Sequence, residues 1–280
     1  MALFNKTSKP SIVDYHRQPF VKLTTVLMIV FLYAPIITLI AFSFNDSKRN
    51  IMWRGFSFKY YEKLMANDLL IEAFFNSLTI AFITTVVSVV LGVLSAYSLW
   101  RFKFPFKRTY EAGLTLPMVV PEICMGVSLM LFFNWVGYPK GLVYPLNLGA
   151  IILAHISFSF PFVTVIIRSR LQNFDVSLEE AGLDMGATNW QIMRDILLPF
   201  LKPSIIAGAI MAFTLSLDDF IITFFTAIPE TPTFPLKVYS MIKFSVTPEV
   251  NAASTILILI TLILVCLGFW YSKKSEEEVK

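Results

Sequence analysis

Long uncharged apolar runs alternate with short polar segments along this chain. The runs predict six membrane-spanning helices at residues 23–44, 73–100, 112–135, 147–167, 204–228 and 252–271, each long enough for about 30 Å of hydrocarbon. In lipid the backbone must satisfy its own hydrogen bonds, so each run is expected to be helical and the fold class all-α integral membrane. The third run holds Pro117, Pro121 and Glu122, and the fourth holds His155 and Pro161. These prolines predict kinks that neighbouring helices repair. Residues 56–76 read as an interfacial amphipathic segment, with Tyr60, Tyr61 and Lys63 suited to a headgroup boundary.

Composition fixes the solvent. Hydrophobic residues make up 56% of the chain, Phe alone occurs 27 times and charged residues are 15%, against about 25% in soluble domains. A soluble chain of this size has no core that could hold so much apolar surface. Of the 23 Lys and Arg, fifteen fall on one side if the N-terminus is inside, with a compact cluster at Arg101, Lys103, Lys107 and Arg108. The first outer loop, 45–70, is basic and opposes the rule. The overall bias still predicts both termini in the cytoplasm, with a tail at 1–22, the transmembrane domain at 23–271 and a frayed charged tail at 272–280. The first apolar run is too long for a cleavable signal.

The most structured polar segment is SLEEAGLDMGATNWQIMRDILLP, residues 177–199. Ser177-Leu178-Glu179-Glu180 and Thr188-Asn189-Trp190-Gln191 both have capping-box form, so two short helices start there. Gly186 can end the first in a left-handed conformation, and Pro199 and Pro203 discourage continuation of the second. Leu178, Met185, Trp190 and Met193 give the pair an apolar surface for a soluble partner. Glu180, Ala181, Gly182, Gly186, Ile196, Leu198 and Pro199 fit the spacing E-A-A-x3-G-x9-I-x-L-P. This resembles the EAA loop of permease subunits of binding-protein-dependent ABC importers, with Gly182 replacing the second Ala. That replacement loosens the helix by about 1 kcal/mol. The resemblance implies that the loop, within 168–203, inserts into a cleft of a cytoplasmic ATPase. It also implies a type I importer permease fold.

Enzyme chemistry finds little support. The sequence has no G-x-x-x-x-G-K-[ST] phosphate loop, so ATP hydrolysis is expected on a separate subunit and no cofactor is expected. Cys124 and Cys266 read as small hydrophobes. His155 is alone in its span and reads as a packed, hydrogen-bonded residue; a His–Ser pair needs a third partner that the pattern does not identify. Three acids interrupt the apolar runs: Glu122, Asp218 and Asp219. Ser216, Asp219, Thr223 and Thr226 recur at helical spacing as one polar stripe, with Asp218 turned toward Thr214. Such acids either bond to neighbouring helices or line a polar path for a cation, with Asp219 the first candidate for that path, Asp218 and Glu122 after it, and Ser216 and Thr223 beside it. Trp135, Phe220, Phe224 and Phe225 are candidates for cation–π contact or for packing.

Residues 117–129 (PMVVPEICMGVSL), 215–225 (LSLDDFIITFF) and 234–255 resemble the spermidine/putrescine branch of these permeases, of the C-type kind. That resemblance implies a polyamine substrate, a second related permease subunit, two ATPase subunits, an extracytoplasmic binding protein and a bacterial inner-membrane location. The same role for another small solute, a stand-alone secondary transporter and a membrane enzyme are the rival readings. A docking loop argues against the transporter, and the lack of a catalytic cluster argues against the enzyme.

Overall fold

A computed structural model of the chain describes residues 19–47, 52–138, 146–244 and 248–278. In chain order the helices are α1 (Pro19–Ser43), α2 (Lys59–Met65), α3 (Asp68–Arg101), α4 (Lys107–Val119), α5 (Glu122–Val136), α6 (Gly149–Leu171), α7 (Ser177–Asp184), α8 (Asn189–Ile192), α9 (Leu198–Leu217), α10 (Ile221–Thr226), α11 (Phe234–Phe244) and α12 (Pro248–Glu278). Five stretches are long and apolar enough to cross a membrane, and six if the bent pair α4–α5 is one span. This is the expected all-α membrane architecture.

The core is the triple α3–α6–α9. α3 presents Ser88, Gly92 and Ala96 at every fourth position, and α9 presents Ser204, Gly208 and Ala212 in the same way. Val163 of α6 sits between these two ladders. A Cβ on Gly92 would lie 2.6 Å from Val163 Cγ1, and one on Gly208 would lie 2.9 Å from it. Lipid supplies no hydrophobic force between helices, so close approach through small residues is what holds this triple together. Ala96, Val163, Ile167, Leu171, Leu197, Leu201 and Ala212 continue the packed layer toward the α7–α8 loop. α1 lies outside this core and packs on α12.

Several expectations are corrected. The third run is not one kinked helix: α4 and α5 meet at 109°. Val120 is extended, because the ring of Pro121 disfavours the helical region for the residue before it. The fifth run is broken too, since α9 ends at Leu217 and α10 starts only at Ile221. At its other end this run extends further back than expected. α8 continues through a π-helical turn, Met193–Leu197, into α9. In that turn Leu198 donates to Met193 O, five residues back. The widened turn makes room for the ring of Pro199, so the prolines do not stop the helix. α12 is helical to Glu278, so the described part of the charged tail is not frayed. Tyr60 is buried and donates to Ser47 O at 2.5 Å rather than facing headgroups, and Lys63 pairs with Glu249 at 3.1 Å.

Candidate functional site

Two sites are built on this frame. The first is the loop joining α6 to α9. Its first box is not formed: Ser177 is already the first residue of α7, and Asp175 Oδ1 accepts the Ser177 N–H at 3.0 Å. Hydrogen bonds from the Ser177 side chain and backbone hold the Asp175 carboxyl below the usual carboxylate range. The second box is complete. Gln191 N–H donates to Thr188 Oγ1 at 3.4 Å and Thr188 N–H donates to Gln191 Oε1 at 2.8 Å.

Gly186 is left-handed at φ 84°. Its N–H bonds Leu183 O at 2.9 Å, and the Ala187 N–H bonds Gly182 O at 3.0 Å. This paired closure of the last helical carbonyls is a Schellman motif. It turns the chain so that α7 folds back on α8. Gly182 is the contact between them: a Cβ there would lie 3.1 Å from Ile196 Cδ1 and 3.5 Å from Ile192 Cγ1. The replacement of Ala by Gly therefore falls where the two helices cross.

The motif residues separate by exposure. Glu180, Ala181, Gly186 and Pro199 face outward, while Gly182, Ile196 and Leu198 are partly covered. Met185 is 88% exposed and Trp190 67%, and Leu178 is exposed beside them. Met193, expected on this surface, instead packs toward the core. Sequence reasoning missed Glu179. Its carboxylate is 13% exposed and takes a forked ion pair from Arg101 at the end of α3, at 2.9 and 3.2 Å. Lys107 Nζ caps the same helix end by donating to Leu99 O and Phe102 O, at 2.5 and 3.2 Å.

The second site is the break between α9 and α10. His155 on α6 is not alone. Its Nδ1 lies 2.7 Å from Ser216 Oγ, and its Nε2 lies 2.9 Å from Thr223 Oγ1 and 3.2 Å from Asp219 Oδ2. The third partner missing from the sequence reading is Asp219. The side chains of His155 and Asp219 are 3% and 6% exposed. Asp219 also accepts Thr223 N–H and Thr223 Oγ1–H, each at 2.8 Å, and the Ile222 N–H at 3.4 Å. It thereby satisfies the first amides of α10. Three members of the expected stripe meet at the imidazole. The fourth, Thr226, bonds its own helix at Ile222 O, 2.8 Å away.

Asp218, next in sequence to a buried carboxylate, is exposed. It lines a cavity of about 280 Å³ with Phe220, Pro235, Tyr239, Ile242 and Ser254 among its walls. The Phe220 and Tyr239 rings are 4.6 Å apart. Glu122 is exposed in the first turn of α5, at the other break. Phe225 packs on Gly126, Phe224 is exposed, and Trp135 stands out from α5; none of these three lines the Asp218 cavity. Among the described residues no three His, Cys, Asp or Glu side chains converge to hold a metal ion.

Comparison with known proteins adds the family. Residues 88–277 match the model of the binding-protein-dependent transport system inner membrane component. The chain is 39% identical over 246 residues to the spermidine/putrescine transport system permease protein PotC of Haemophilus influenzae, covering 88% of this chain and 93% of that one. It is 35% identical over 263 residues to the putrescine transport system permease protein PotI of Escherichia coli, covering 94% of each. The molybdenum transport system permease protein ModB of Escherichia coli is 32% identical over 220 residues, covering 74% of this chain and 95% of that one. Among solved structures, a bacterial ABC transporter involved in the import of alginate superposes with a TM-score of 0.70 at 17% identity, covering 90% of this chain and 92% of that one. A MetNI methionine ABC transporter gives 0.61 at 21% identity, covering 76% and 98%. These two show the fold.

Proposed function

The chain belongs to the binding-protein-dependent transport system inner membrane component family, and on that premise we propose that it is a permease subunit of an ATP-driven importer of polyamines. It is a multi-pass protein of the bacterial cytoplasmic membrane. Its substrate, spermidine or putrescine, arrives from an extracytoplasmic binding protein and leaves into the cytoplasm. A second related permease subunit completes the path, and two ATPase subunits supply the energy.

The observation that carries this reading is the charge at the two helix breaks. Asp218 and Glu122 are exposed there, Asp219 backs them, and the basic residues of the spanning helices sit toward their ends, at Lys22, Arg101, Lys107, Arg108, Arg168, Arg170 and Lys202. An ammonium passing this level meets net negative charge in a partly dry setting, where the attraction exceeds its value in water. Aromatic walls at Phe220 and Tyr239 suit the same ion. The path must also release its ion, so tight selection belongs to the binding protein and the carboxylates act as a charge filter.

The exposed face of α7–α8, with Glu180, Ala181, Met185 and Trp190, is the docking surface for the ATPase. Both termini and the Arg101–Arg108 segment lie on the cytoplasmic side. A cysteine at Ser169 is then protected from an impermeant thiol reagent in intact cells, and labelling there would reverse the orientation. The test of function is uptake of radiolabelled spermidine, putrescine and molybdate into proteoliposomes holding the whole complex. ATP-dependent uptake of either polyamine is expected. Uptake of molybdate alone would reject the substrate while leaving the permease role intact.

A further inference from the structure

Asp218 and Asp219 are adjacent and chemically identical, yet one is buried and the other faces a cavity. The chain between Leu217 and Ile221 is not helical, so helical periodicity does not dictate which of the two faces inward. The choice is made by what lies across from it on α6. His155 reaches Ser216 at the last turn of α9 with one ring nitrogen, and Asp219 and Thr223 of the break and α10 with the other. One imidazole therefore spans the break from its α9 side to its α10 side. Asp219 is held inward by His155 and by three donors from Ile222 and Thr223.

With Asp219 fixed, its neighbour is left to face the cavity between the α9–α10 break, α11 and α12. We propose that His155 is a positioning residue: by pinning Asp219 inward across the α9–α10 break, it sets Asp218 as the carboxylate presented to the transported cation. Asp219 is then a structural anchor, and Asp218 is the acid that meets the substrate. The cation part of this inference rests on the polyamine reading, while the pin itself does not.

Two experiments on the intact complex separate these parts. In a Cys124→Ser/Cys266→Ser background, Asp218→Cys reports access to the cavity through its rate of modification by a cationic methanethiosulfonate. His155→Ala is expected to slow that rate about tenfold, the scale of losing one charge-assisted hydrogen bond. His155→Gln, whose amide still reaches toward Asp219, is expected to restore much of it. Ser216→Ala removes only one of the imidazole's partners and serves if His155→Ala does not assemble; a smaller slowing is then expected. An unchanged rate in the His155 variant, or in Ser216→Ala where that variant fails, overturns the pin whatever the substrate.

The second experiment is a double-mutant cycle on polyamine uptake. Asp218→Asn and His155→Ala should each raise KM more than they lower kcat. His155→Ala in the Asp218→Asn background should add nothing, because the residue it positions is already neutral. Additive losses would mean that His155 acts elsewhere and would overturn the proposal. A parental complex that imports neither polyamine, with the labelling result intact, would reject the substrate and retain the pin.

Discussion

The two sides of this molecule solve opposite problems in the same solvent. Where α3, α6 and α9 pack together each is continuous through the contact, and glycines at 92 and 208 close on Val163. On the other side, both long segments that carry acids are broken, at Val120–Pro121 and at Asp218–Phe220. Close packing of small residues leaves no room for a polar solute and resists deformation. Broken helices expose backbone and carboxylates, which membrane proteins tolerate only where they are buried in protein or line a polar path. The α7–α8 loop hangs from α6 and α9, so it is mounted on the close-packed side. The α10 segment that His155 of α6 holds is continuous in sequence with α9 but follows the break. If the ATPase docks on α7–α8 as proposed, a push there reaches α10 only through the close-packed triple and across the break.

The largest expected effect is on the stiff side. Gly208→Leu or Gly92→Leu drives side chains into Val163 and should abolish assembled protein, since overpacking costs about 1–3 kcal/mol or more. The sharper version is compensation. Gly208→Ala should be rescued by Val163→Ala, with a coupling of about 0.5–3 kcal/mol measured by thermal inactivation of the purified complex. Independent, additive losses would mean that the glycines do not close on Val163.

Next is the turn of the docking loop. Nothing lies within 4 Å of where a Gly186 Cβ would stand, so a substitution there acts through φ alone. Gly186→Val should cost about 1–2 kcal/mol locally, and Gly186→Asn should be tolerated because Asn visits this region readily. Substrate-stimulated ATP hydrolysis should fall with Val and persist with Asn, while both proteins insert. Equal activity of the two variants, with Glu180→Arg also silent, would detach this loop from coupling.

A smaller effect is expected where the loop meets α3. Arg101→Gln removes the forked pair to Glu179, whose arginine side is 41% exposed and whose contribution is about 1 kcal/mol. Basal ATP hydrolysis should be kept and its stimulation by substrate reduced several-fold at most. Complete loss of assembly would show that the pair holds the fold rather than the loop. The smallest effect belongs to Ser88. Its hydroxyl is buried and has no hydrogen-bond partner among the described residues, so the seam uses this residue for its size. Ser88→Ala should leave thermal stability within about 0.5 kcal/mol of the parent or raise it. A clear loss would show that the hydroxyl has a partner in the membrane.

Much of this was legible in the chain. The helices were readable because hydrocarbon thickness imposes a length on apolar runs, and Gly186 and the Thr188–Gln191 box were readable because caps are local. Glu179 was hidden because its partner lies 78 residues away, and no local pattern distinguishes it from Glu180. His155 was legible as a packed, hydrogen-bonded residue, but its partners were hidden for the same reason: they stand 61 residues away at Ser216 and 68 at Thr223. The breaks were half legible. Pro121 announced an interruption, but a kink and a 109° bend begin with the same proline.

The sequence by itself determined that this is a helical membrane protein, roughly where its spans run, where its paired short helices lie and that three acids interrupt its apolar runs. Those properties follow from hydrophobic length, capping and charge, which act over a few residues and need no partner. Tertiary structure alone decided that α8 runs through a π turn into α9, that Val163 is seated between two glycines, and that Asp219 faces inward while Asp218 faces the cavity. Each of these depends on which side chain arrives from a distant helix. In a medium that forbids an unpaired buried charge, the arrival of His155 settles which carboxylate stays inside.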